Sequence, residues 1–85
     1  MSQDAQTFIL NIYGELKEGN DPEKIRPEEI GMTEERLISA GKELREIDWL
    51  PHFTVTKENN SGVRIWFIGE ISSKAMKQLD EWVNK

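Results

Sequence analysis

The sequence predicts an α+β fold in which helices back a two-stranded β-hairpin, and three observations predict it. Apolar residues recur at three-to-four-residue spacing in three stretches: Phe8 to Leu16, Leu37 to Ile47, and Ala75 to Val83. Between the second and third, the period drops to two over Phe53–Lys57 and again over Val63–Ile68, with Glu58-Asn59-Asn60-Ser61-Gly62 as the turn. A two-stranded hairpin is marginal by itself, so these strands need the helices behind them.

The elements follow in order. Met1 to Asp4 are polar and expected to fray. In the first helix Phe8, Ile9, Ile12, Tyr13 and Leu16 make a wide apolar arc, with Asn11, Glu15 and Glu18 on the narrower polar side. Gly19-Asn20 stops it as a left-handed pair, and Asp21-Pro22 turns the chain. Arg26-Pro27-Glu28-Glu29-Ile30-Gly31 predicts a short second helix, with proline at its first position and glycine as its stop. Thr33 caps a longer third helix, with Glu34 and Glu35 at the positive end of its dipole; Arg36 stands where a capping box would need Glu or Gln. Leu37, Ala40, Gly41, Leu44 and Ile47 form its core stripe, and the small pair Ala40-Gly41 lets another helix come close. In the hairpin, Phe53, Val55 and Lys57 alternate with Thr54 and Thr56. Placing Ile65 and Phe67 inward on the second strand sends Trp66 outward beside Arg64. A last helix starts at Ser72 or Ser73 and turns Ala75, Met76, Leu79, Trp82 and Val83 to the core.

Composition bounds what such a chain can do. Its 85 residues are read as one domain over 1–85, near the small end of what folds alone, burying about 60–65% of the unfolded surface. With 36% hydrophobic and 32% charged residues it is globular rather than disordered. No cysteine is present, which excludes disulfides and thiolate metal sites; together with the lack of a cationic, then apolar leader, this makes a reducing cytoplasm the expected setting. No apolar run reaches membrane-spanning length, so no membrane partner is expected. The net charge of −5 opposes strong non-specific attraction to nucleic acid.

Helix, short helix, helix, hairpin, helix is the order of a winged helix. Glu18-Gly19-Asn20 ending the first helix, Glu29-Ile30-Gly31-Met32-Thr33-Glu34-Glu35 entering the third, and the hairpin running into Ile71-Ser72-Ser73-Lys74 resemble the YjcQ family of small winged-helix proteins from bacteria and their phages. The resemblance spans about Phe8 to Val83 and rests on short, mostly structural motifs. Such domains often carry threonine-x-lysine-glycine at the start of the last helix, from which Ser72-Ser73-Lys74-Ala75 departs in small ways. The resemblance implies a DNA-binding type of fold, of phage or mobile-element origin and poorly defined role, and supplies no catalytic residues.

In a helix-turn-helix, the second helix of the pair enters the major groove and must offer donors and cations. Opposite the Leu37 stripe lie Glu35, Ser39, Lys42 and Glu46, flanked by Arg36 and Arg45. The expected DNA contacts are therefore Arg36, Ser39, Lys42 and Arg45, with Lys57 and Arg64 steadying the wing on the double-stranded backbone. The plainer reading is a solvated face with a Lys42 to Glu46 pair worth about 0.2–0.5 kcal/mol. A rival role is a protein-interaction module on the same scaffold. Its candidate surface is Leu10, Trp66, Met76 and Trp82: Trp82 and Met76 with Leu10 make an apolar seam that could join two copies of the chain or simply wrap its core, and Trp66 could anchor nucleic acid or protein, its bland place being under the last helix or across the strand threonines.

Catalysis is not expected. His52 stands alone at a strand start without a second imidazole, and Glu28-Glu29 and Glu34-Glu35 sit at helix starts, where carboxylates act as caps rather than buried acids. No phosphate-cradling loop or nucleophile elbow is present, so no cofactor, metal or small-molecule substrate is implied.

Overall fold

A computed structural model describes residues 1–20, 22, 25–57 and 64–84. The expected turn over Glu58–Gly62, the inward Val63 and the start of the Asp21-Pro22 turn lie outside the described residues. Among those described, the order is α1 (Gln3–Lys17), a 3₁₀ turn (Pro27–Ile30), α2 (Glu34–Glu46), β1 (Thr54–Lys57), β2 (Arg64–Phe67) and α3 (Ser73–Val83). The fold is α+β, three helices with one antiparallel two-stranded sheet.

The helix ends follow local chemistry closely. Thr33 and Ser72 accept at their hydroxyls from the N–H groups of Arg36 and Ala75, each satisfying one donor that the first helical turn leaves unmatched. Gly19 adopts φ +87°, and the Gly19 and Asn20 N–H groups donate to the Leu16 and Glu15 carbonyls, the paired bonds of a Schellman end. α2 closes in the same way through Asp48 N–H to Arg45 O and Trp49 N–H to Leu44 O, but here the left-handed position, φ 64°, is held by aspartate. α1 begins earlier than its apolar pattern suggested. Ser2 caps it by accepting from Ala5 N–H, and Asp4, expected to fray, stands in its first turn with Ala5 fully buried beside it.

The core is one cluster. α1 contributes Ala5, Phe8, Ile9, Ile12 and Tyr13; α2 contributes Leu37, Ile38, Ala40 and Leu44; Trp49, Leu50, Phe53, Trp66, Ile68, Ala75 and Leu79 complete most of it. α1 lies chiefly against α2 and more lightly against α3. Three expectations need correction. Ile47 ends the α2 stripe exposed, because the chain leaves the helix there and Ile38 fills the flank instead. Leu16 and Val83 are likewise at the surface. Gly41 makes room not for a helix but for Phe53: a Cβ added there would fall inside the Phe53 ring, which meets Phe8 edge-on at 6.2 Å and 82°.

The second strand is in the opposite phase from the one expected. Val55 pairs with Trp66, and residues directly opposite in an antiparallel ladder share a face. Phe53 is buried and Val55 packs on the core, so Trp66 and Ile68 point inward at 5% and 0% exposure, while Phe67 is 56% exposed. Both phases of β2 are apolar, so alternation alone could not choose between them.

Candidate nucleic-acid interface

The rotation of α2 is set by its buried residues. With Leu37, Ile38, Ala40 and Leu44 inside, Glu35, Ser39, Lys42 and Glu46 are all exposed, as the 100° step requires. This face therefore presents one hydroxyl, one ammonium and two carboxylates. No Lys42–Glu46 ion pair forms; among the described residues the pairs are Lys17–Asp80 and Arg36–Asp4.

The two flanking arginines are both engaged within the chain. Arg36 donates from Nε and Nη2 to the two carboxylate oxygens of Asp4, at 3.0 and 2.6 Å, a two-pronged contact. The guanidinium lowers the Asp4 pKa below the usual carboxylate value, and the carboxylate in turn raises that of Arg36. About two turns further along, Glu43 accepts from Ser2 N–H at 2.7 Å, and this bond lowers its pKa. On the other flank, Arg45 Nη1 donates to the Phe53 carbonyl at 3.2 Å, tying α2 to the entrance of β1. Lys57 and Arg64 are the last register partners of the ladder among the described residues.

The residues of the expected interaction surface, Leu10, Met76 and Trp82 as a seam and Trp66 as a separate anchor, are dispersed. Leu10 is exposed beside a groove between α1 and α3 that also includes Gly14 and Val83. Met76 packs partly against the core and borders a different groove, with Ile12, Leu16 and Ile71. Trp82 lies against Trp49 at 5.4 Å between ring centres. Trp66 is inside, opposite Val55 rather than a threonine, and is not part of any surface.

Two features escaped the sequence reading. Phe67 occupies the outer face of the hairpin with the exposed Thr54 opposite it. Tyr13 donates its hydroxyl to Asp80, whose carboxylate also meets Lys17 at 3.4 Å while the ammonium stands 5.2 Å from the Tyr13 ring centre. The Tyr13 hydrogen bond lowers the Asp80 pKa and raises that of Tyr13, while the Asp80 carboxylate beside Lys17 raises that of the ammonium. Tyr13 and Lys17 are visibly one helical turn apart in the sequence, but nothing local points to a partner 67 positions away.

His52 is exposed, with its backbone close to Gly69, and among the described residues no group of three or more His, Asp or Glu side chains converges as a metal site. No helix there is long and apolar enough to cross a membrane. Compared with protein-family models, with curated proteins and with solved structures, the chain matches none.

Proposed function

We propose that this chain is a small cytoplasmic winged-helix protein of the YjcQ type that binds double-stranded DNA weakly in a regulatory role, with α2 as the reading helix and the hairpin as the wing. The observation that carries the reading is the outward face of α2, where Ser39 and Lys42 stand exposed opposite the buried Leu37, Ala40 and Leu44. Ser39 and Lys42, exposed on α2, supply a hydroxyl and a cation for the groove. The carboxylates Glu35 and Glu46 on the same face, and the net charge of −5, keep affinity low and confine binding to low salt.

Fluorescence anisotropy with a labelled mixed-sequence duplex tests this directly. Lys42→Glu weakens binding and Glu46→Lys tightens it; a chain with no affinity even at low salt, where the electrostatic contribution is greatest, sinks the reading.

A second reading is favoured by Phe67. An aromatic ring 56% exposed at the outer face of a two-stranded sheet, beside threonines rather than charges, suits contact with a protein partner. Phe67→Ser would abolish such a contact while leaving DNA affinity unchanged.

A further inference from the structure

We infer that the amino-terminal segment Ser2–Asp4 masks Arg36, so that the chain blocks one of its own phosphate-binding cations; the inference rests on the DNA reading above. The Asp4 carboxylate engages both Nε and Nη2 of Arg36, the same forked geometry with which a guanidinium grips a phosphate. Among the described residues the Nη1 edge of the guanidinium stays free, but the positive charge that would draw a phosphate is already paired with a carboxylate. Ser2 N–H on Glu43 ties the same segment to α2 about two turns beyond Arg36, so the start of α1 is fastened along that flank of the helix at two points. Both contacts are solvent-exposed, and exposed ion pairs are weak. Removing the Asp4 charge therefore hands Arg36 to solvent and to phosphate without unpacking the core, whereas a buried arginine would stay out of reach. The Arg36 side chain is itself about half exposed, so a phosphate can approach it once Asp4 withdraws.

The consequence is specific. Each phosphate contact adds about 0.9 to the slope of log affinity against log salt, so exposing one more cation makes affinity fall about 3.5-fold more between 50 and 200 mM salt. Asp4→Asn should show this steeper dependence relative to the wild type. Glu81→Gln, which makes the same charge change at an exposed site on α3, should not. Arg36→Gln should leave the wild-type slope unchanged, because that cation is already occupied, and Asp4→Asn combined with Arg36→Gln should return to it.

If Asp4→Asn has the wild-type slope while Lys42→Glu still weakens binding, the masking is wrong and the DNA reading stands. A shallower slope for Arg36→Gln alone also overturns the masking, since Arg36 would then already be contacting phosphate. If neither the wild type nor Asp4→Asn binds duplex at the lowest salt, the DNA reading fails and takes the masking with it. Should Asp4→Asn prove too unstable to assay, the Arg36→Gln comparison decides the matter by itself.

Discussion

Gly41→Ala should destabilise the protein although it sits in the middle of a helix. Helix propensity alone favours alanine over glycine by about 1 kcal/mol. The added methyl, however, would occupy the place of the Phe53 ring. Phe53 is fully buried and set edge-on against Phe8, so it cannot step aside without disturbing the α1–α2 contact. Overpacking of this kind costs up to about 3 kcal/mol, which leaves a net loss of about 2 kcal/mol after the propensity gain. With a slope of about 1 kcal/mol per molar urea for so small a chain, the midpoint should drop by about 2 M. Tryptophan fluorescence can follow the transition, since Trp49 and Trp66 are buried. Gly14→Ala is the control: nothing lies within 4 Å of a Cβ at that position in α1, so the same substitution there should stabilise by up to about 1 kcal/mol. Phe53→Leu combined with Gly41→Ala should recover part of the loss, because a smaller side chain leaves room for the methyl. A Gly41→Ala protein as stable as the wild type would refute the packing described for this corner of the core.

Further expectations can be checked with the same denaturation assay. Trp66→Ala should cost about 3–5 kcal/mol and Phe67→Ala almost nothing, as their burial dictates; the reverse ranking would mean that β2 has the other phase. Asp48→Gly should stabilise by about 0.5–1 kcal/mol, since glycine adopts the left-handed end of α2 without the steric cost that an L side chain incurs, and a loss would contradict that geometry. Asp4, Glu43 and Asp80 all have folded pKa values below their ordinary ones. Their stabilising contribution is thus complete above about pH 5 and is lost as pH falls through the lowered values. Acid unfolding should therefore be blunted in Asp4→Asn and Asp80→Asn, which begin less stable at neutral pH; acid limbs parallel to the wild type's would remove these carboxylates from the account.

What the sequence by itself determined is most of what neighbours a few positions apart govern, the Ser2 cap of α1 and the Asp48 end of α2 excepted. Thr33, Ser72, Gly19 and Gly31 mark helix ends through bonds that close within one turn, so the residue types suffice to place them. The three-to-four-residue recurrence of Leu37, Ala40 and Leu44 likewise fixed which way α2 faces, and with it the exposure of Ser39 and Lys42.

Tertiary structure decided whatever depends on a residue far along the chain. The phase of β2 follows from Val55 meeting Trp66, a matter of register that an apolar strand with two eligible faces does not encode locally. Gly41 answers to Phe53 rather than to a second helix, and Tyr13 to Asp80. Arg36, offered by its own helix as a cation for DNA, is taken by Asp4, 32 positions earlier. A charge on a helix surface advertises itself in the sequence, but its partner is chosen by which elements the core brings together.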